Sequence, residues 1–334
     1  MLFRSHPLGL TIAAAQRLWP KTDVAIVIGS RFELLDIRWR HRPPGLKIIR
    51  IDIDPAELRR LPAAVGIVAD AAAGANALAR ALTRRGTPRR RGDRSVTETQ
   101  RRKSHEAPMV RRGAAKGIPR SARGATRGDQ IATAKEEAAA AIRSVQPQVD
   151  YLGVIRDVLP RDGFFVEEIS QIGFSAMFGF PVYEPRTFVT SGYQGTLGFG
   201  FPTALGAKVA FPQRPVVSVT GDGGFMFAAQ ELATAVQYGI NLVTLVFNNE
   251  SYGNVYRDQK QQFAGRLLGS ELVNPNFVAL AESFGVSASS VSSPQALRPA
   301  LEQAFAADRP VLIEVKVPRG SDGDPWKFIH PTFS

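Results

Sequence analysis

Residues 221–253 read GDGGFMFAAQELATAVQYGINLVTLVFNNESYG, with a glycine-bracketed acid at one end and a pair of asparagines near the other. The runs PVVSVT before this stretch and NLVTLVF within it are short, β-branched and apolar, as buried strands are. Between them, FAAQELATAVQYG puts Ala229, Leu232, Ala233 and Val236 on one helical face. Gly221-Asp222-Gly223-Gly224 is then a strand-to-helix turn. Glycines there let backbone N–H groups approach a phosphate, and the helix dipole favours its negative charge. An anionic Asp222 beside a phosphate is repelled unless a cation lies between them. A hard divalent ion such as Mg²⁺ meets that need by taking oxygens from both. Adjacent parallel strands finish side by side, so the pair Asn248-Asn249, whose second member lies 27 residues beyond Asp222, converges on the same ion. A dinucleotide fingerprint does not fit, because Met226 stands where its third glycine is required.

Outward from this unit, helix and strand alternate. YLGVIRDVL reads as helix, GFFVEEI as strand, PTALGAKVAF as helix and RPVLIEVKV as a last buried strand. That order predicts a doubly wound parallel α/β sheet with its ligand at the carboxyl ends of the strands. Nearer the start, DVAIVIGSRF, LKIIRIDIDP and VGIVAD are strands and AAAGANALARAL a helix, which together read as part of a second α/β domain.

The net charge of +12 is concentrated between the two. Residues 84–130 hold fifteen Lys or Arg against four acids, a net +11 that leaves +1 for the rest of the chain. This interval has almost no large apolar residues, so burial cannot offset the entropy of ordering it, and a disordered linker over 85–130 is expected. It has no aromatic residues for stacking and no folded reading motif, so a nucleic-acid partner is not expected. No run of 18 apolar residues occurs and the first residues are no convincing signal peptide, which makes the cytoplasm the expected compartment and excludes a membrane role. With 0 Cys among 334 residues, disulfides, thiolate metal sites and a cysteine nucleophile are ruled out.

The Gly-Asp-Gly turn followed by Asn-Asn, the QEL-x-TA of the intervening helix, NNESYGNV and the upstream loop SGYQGTLGFGFPTALGAK together resemble the thiamine diphosphate (ThDP) enzymes related to acetolactate synthase and benzoylformate decarboxylase. The resemblance spans about Gln146 to Lys316, and a weaker one covers the first 84 residues as that family's middle domain. It implies domains at 1–84 (a truncated middle domain), 85–130 (linker) and 131–334 (the diphosphate-binding domain). It makes Asp222 and Asn249 side-chain ligands of Mg²⁺ and the Ser251 carbonyl a third ligand. Gly221, Gly223, Gly224, Phe225, Tyr252, Gly253 and Asn254 would line the diphosphate, with Ile169, Ser170 and Gln171 adding contacts. In the upstream loop Gly195 would meet the aminopyrimidine, Thr196 follows it, and Leu197 would force the cofactor into its bent shape.

By the same resemblance the substrate is a 2-oxo acid, decarboxylated or joined to a second carbonyl, in an enzyme assembled as a homodimer or tetramer. The family's flavin site lacks its acidic-acidic-arginine run in GSRFELLDIRW, so FAD is not expected. The pyrimidine-binding domain and its activating glutamate have no counterpart here, and Glu167 and Glu168 lie in the wrong places to replace that residue. No catalytic residue is therefore assigned within the chain; the activating glutamate is expected on the missing domain, in the complete enzyme or on a separate subunit. A non-catalytic ThDP-binding subunit and an inactive gene fragment remain alternatives. So does a frameshift as the origin of the Arg-rich interval, whose Arg, Gly, Pro and Ser bias is that of GC-rich DNA read out of frame.

Overall fold

A computed structural model of the chain describes residues 9–32, 41–84, 126–192, 195–321 and 323–329. Most of the Arg-rich interval, 85–125, lies outside the described residues. The chain divides into two units, Trp19–Arg127 and, larger, Met1–Leu18 with Gly128–Thr332. The first helix, α1 (Ile12–Leu18), belongs to the larger unit.

In the smaller unit β1 (Val24–Ile28), β2 (Lys47–Asp52), α2 (Pro55–Arg60), β3 (Val65–Val68) and α3 (Ala71–Arg84) follow in order. The three strands form a parallel sheet in the order β1-β2-β3, with Ile26 opposite Ile49 and Ile51 opposite Ile67. Asp54 caps α2 by accepting from the Ala56 N–H at 2.7 Å, and Pro55 occupies the first helical position, where no N–H is needed.

The larger unit continues through α4 (Arg127–Ile142), α5 (Gln148–Val158), β4 (Phe164–Glu167), α6 (Gln171–Gly179), β5 (Phe188–Val189), α7 (Gly200–Ala210) and β6 (Val216–Gly221). Then come α8 (Asp222–Phe225), α9 (Leu232–Gln237), β7 (Val243–Asn248), α10 (Gly253–Gln262), α11 (Phe277–Ser283), β8 (Ser287–Val291), α12 (Pro294–Ala306), β9 (Val311–Lys316) and α13 (Trp326–Ile329). Helix α4 starts at Arg127, inside the interval read as linker. Six parallel strands run in the order β5-β4-β6-β7-β9-β8. The chain passes outward from β4 to β5 and then crosses back to β6, so the carboxyl ends of β4 and β6 form a topological switch point, where such sheets take their ligands.

Alternate residues of each strand feed two cores, one per face. Phe165, Val217, Leu245 and Ile313 pack with Ile155 of α5 and Leu297 and Leu301 of α12. Phe164, Val166, Val246 and Leu312 pack with Phe201 of α7, Leu232 of α9 and Phe277 of α11. Burying each such side chain stabilises the fold by about 1.5–3 kcal/mol. The sheet is doubly wound and α/β, as expected from the alternation.

The helix after the Gly-Asp-Gly turn differs from its expected form. It breaks into α8, a 3₁₀ turn at Ala229–Glu231 and α9. The tighter turn rotates the helical phase, so Ala229, Leu232 and Ala235 face inward, whereas Ala233 and Val236 are exposed. Among the described residues no helix is long and apolar enough to cross a membrane.

Candidate functional site

At the carboxyl ends of β4, β6 and β7 lies a cavity of about 230 Å³. Its floor is the turn from β6 into α8: Gly221 ends the strand and caps the helix, and Asp222 opens it. Because β6 and β7 are neighbours in register, Gly221 opposite Phe247, the end of β7 delivers Asn249 and Ser251 to the same cavity. Tyr252, Gly253 and Asn254 follow as the cap and first turn of α10 and form one wall. Ile169, Ser170 and Gln171 form another, and Leu197 closes the rim.

Close packing under the turn explains its glycines. A methyl on Gly223 would stand 2.5 Å from the Tyr252 ring, and one on Gly224 would stand 2.6 Å from the Glu168 carboxylate. That carboxylate is itself buried beneath the turn. It accepts from the N–H groups of Gly198 and Phe199, the latter at 3.2 Å, and from the Thr220 hydroxyl. Glu168 thereby ties the end of β4 to the loop carrying Leu197. Burial raises its carboxyl above the ordinary range, against the pull of these three bonds.

Asp222 is 2 % exposed, and no basic side chain among the described residues offsets its charge. Burial pushes its carboxyl up, while the hydrogen bond from Asn274 and the nearby backbone N–H groups of Gly223, Ser251 and Glu250 pull it down. Asn249 Oδ1 accepts from the N–H and hydroxyl of Ser251 at 3.1 and 3.0 Å, which fixes the amide beside the cavity.

Three of the expected contact residues do not line this cavity. Phe225 is a core residue: its ring lies 5.4 Å from that of Phe201 and 5.9 Å from that of Phe277, and it does not line the cavity. The turn exposes glycines on the cavity side, and the next apolar side chain has only the core to enter. Gly195 and Thr196 lie in the loop behind Leu197 and do not line the cavity either. Ser170 lines it and also caps α6, accepting from Gly173 N–H at 3.2 Å.

Other lining residues carry no sequence signal. Gln148 and Tyr151 come from α5, and Gln148 presents a buried Oε1 with no hydrogen-bond partner among the described residues. Arg257 on α10 contacts two lining side chains, Gln171 at 3.5 Å and Asn254, and its guanidinium lies 5.9 Å from the Trp326 ring. That ring also packs on Phe174, 5.3 Å away.

The profile described as Thiamine pyrophosphate enzyme, C-terminal TPP binding domain matches residues 169–315, and the profile of the central domain of the same enzymes matches residues 2–78. The chain carries two domains of the thiamine pyrophosphate enzymes. Among its relatives, the probable acetolactate synthase large subunit of Methanocaldococcus jannaschii is 32 % identical over 93 % of this chain and 50 % of its own length. A probable 2-ketoarginine decarboxylase of Pseudomonas aeruginosa is 28 % identical over 92 % of the chain and 49 % of its own. The chain thus spans about half the length of the curated relatives it matches. In fold it is similar to the thiamine diphosphate-dependent 4-hydroxybenzoylformate decarboxylase of Rhodococcus jostii, with a TM-score of 0.66, 23 % identity, and 95 % of this chain and 54 % of that one covered.

The residues at this site suit the thiamine pyrophosphate group. A buried carboxylate without a counter-charge among the described residues, an amide oxygen and a polar loop at one helix N-terminus form an oxygen donor set of the kind that Mg²⁺ takes, and the glycine cradle admits a phosphate.

Proposed function

We propose that this cavity holds the diphosphate of ThDP together with Mg²⁺, and that the chain supplies the diphosphate half of a site for decarboxylating or ligating 2-oxo acids, of the acetolactate synthase type. The observation that carries this reading is the Asp222 carboxylate, buried at the start of α8 without a cationic partner among the described residues and flanked by Asn249 from the neighbouring strand end. Asp222, Asn249 and the Ser251 carbonyl hold the ion. Backbone N–H groups of the Gly221–Gly224 turn and of Tyr252, Gly253 and Asn254 bind phosphate oxygens, assisted by Ile169, Ser170 and Gln171. Phe225 contributes through its backbone alone. Leu197 supports the cofactor at the rim, with Gly195 and Thr196 setting the loop behind it.

When bound, the cofactor supplies an electron sink for loss of CO₂ from the substrate. This chain's own part is to neutralise the diphosphate, orient it and keep water from the metal. Asp222 is the one carboxylate lining the cavity among the described residues, so this reading takes the group that protonates the pyrimidine ring from outside the cavity, in a homodimer, a tetramer or a two-subunit assembly. The proposal takes 1–84 as a middle domain without flavin and 131–334 as the diphosphate-binding domain, in a cytoplasmic protein without membrane or nucleic-acid partners.

Calorimetric titration with ThDP, in Mg²⁺ and then in excess chelator, tests the reading. Wild-type chain should bind only with the metal, and Asp222→Ala should abolish that binding. Metal-independent binding, or equal affinity in the variant, would overturn it.

A further inference from the structure

Only the second asparagine of the Asn248-Asn249 pair lines the cavity. Asn248 turns the other way. Its Nδ2 donates to Glu314 Oε1 at 2.7 Å, and Glu314 Oε2 accepts from the Ser290 hydroxyl at 2.7 Å. An anionic acceptor on β9 thus fixes which end of the Asn248 amide is the donor, and leaves Asn248 Oδ1 as an acceptor on the opposite side. Into that position comes Asn274, from the loop before α11. Its Nδ2 donates at 2.9 Å to Asn248 Oδ1 and at 2.7 Å to Asp222 Oδ2.

Both protons of one amide nitrogen are then used, each on an oxygen that is an acceptor only. Flipping Asn274 would set its own oxygen against a carboxylate and a carbonyl oxygen, so the bridge has one stable orientation. The bridge also holds Asp222 Oδ2, which restrains rotation of the carboxylate about its last side-chain bond.

We infer that Asn274, which belongs to neither motif, is the positioning residue of the metal site: it orients Asp222, and Asn248 and Glu314 hold it in its donor orientation. The inference rests on the ThDP–Mg²⁺ reading for the identity of what Asp222 binds. It gives the paired asparagines separate tasks, Asn249 facing the ion and Asn248 transmitting orientation from Glu314. Outer hydrogen bonds of this kind commonly control metal affinity by about 10–100-fold.

The test uses the full chain with saturating ThDP and Mn²⁺ as a paramagnetic probe, in wild type, Asn274→Ala and Asn274→Asp. The Asp variant keeps the volume and removes both donors. Both variants should bind Mn²⁺ about tenfold more weakly or worse, and at saturating metal the electron paramagnetic resonance line shape should differ from wild type in both. Thermal melts of the metal-free variants establish that they are folded, and the Asp variant carries the test if Asn274→Ala does not fold. Wild-type affinity and line shape in Asn274→Asp would mean that Asn274 only fills space, and would overturn this inference while leaving the cofactor reading intact. A wild-type chain that binds neither ThDP nor Mn²⁺ would end both.

Discussion

Glu168 separates two ways in which a buried carboxylate can matter. Replacing it by alanine leaves the N–H groups of Gly198 and Phe199 and the Thr220 hydroxyl without their acceptor, which should cost about 3 kcal/mol in a denaturant titration. Glutamine keeps an acceptor oxygen toward the two N–H groups, so Glu168→Gln should stay folded. The pH dependence should also differ. Burial raises the folded-state value of this carboxyl above its unfolded one, so the native state binds the proton more tightly. Its contribution therefore favours the fold below the unfolded value and is lost as pH rises through the folded one. The stability of Glu168→Gln relative to wild type should accordingly rise with pH from the ordinary glutamate range upward. A flat difference would show that the carboxyl titrates alike in both states. At this scale the sequence was legible where chemistry is local: Asp222 and Asn249 stand at strand ends whose spacing can be counted. Asn274 could not be found that way. It sits in NPNF, which reads as a helix start, and Asn276 is indeed the cap of α11, accepting from Ala279 N–H at 3.1 Å. Nothing in that tetrapeptide distinguishes its first asparagine from a solvated loop residue.

At the scale of elements, α6 and the strand ends decide how well the cavity is built. Ser170 is both a wall of the cavity and the cap of α6, so Ser170→Ala should lower stability by about 1 kcal/mol even without cofactor. If ThDP affinity falls by more than that loss explains, measured by calorimetry on the folded variant, the hydroxyl also touches the ligand. Gly223→Ala is predicted to be harsher. Its methyl would meet the Tyr252 ring at 2.5 Å, so the first turn of α10 must shift, and Mg²⁺-dependent ThDP binding should drop at least tenfold while the melting transition of the larger unit persists. Buried strands and the helices between them were readable from β-branched runs and apolar spacing. Two edge strands were not: β5 has only two residues, and β8 reads SASSV, too polar to look buried because one side of it meets solvent. The 3₁₀ break before α9 was hidden for a different reason, since a run of alanines and leucine fits either helical phase.

On the scale of the whole molecule, each unit has its own parallel sheet, and the cores on both faces of the larger one are drawn from Tyr151 onward. Excising 85–125 and inserting a short Gly/Ser spacer should therefore leave the calorimetric melting transition of the larger unit unchanged; loss of a cooperative transition would refute this. The purified chain, saturated with ThDP and Mg²⁺, should release no more than traces of CO₂ from 2-oxo acids, since acid–base assistance of the missing kind is worth about 10²–10⁴-fold. Robust turnover that Asp222→Ala abolishes would mean that a carboxylate of this chain reaches the pyrimidine. Binding itself can be followed without any label. The Trp326 indole touches Phe174 and lies against Arg257, which also contacts the cavity residues Gln171 and Asn254. In a chain with Trp19 and Trp39 changed to phenylalanine, ultraviolet excitation would therefore light one indole, two contacts away from the metal-binding wall, and its emission colour and lifetime should change as the cavity fills.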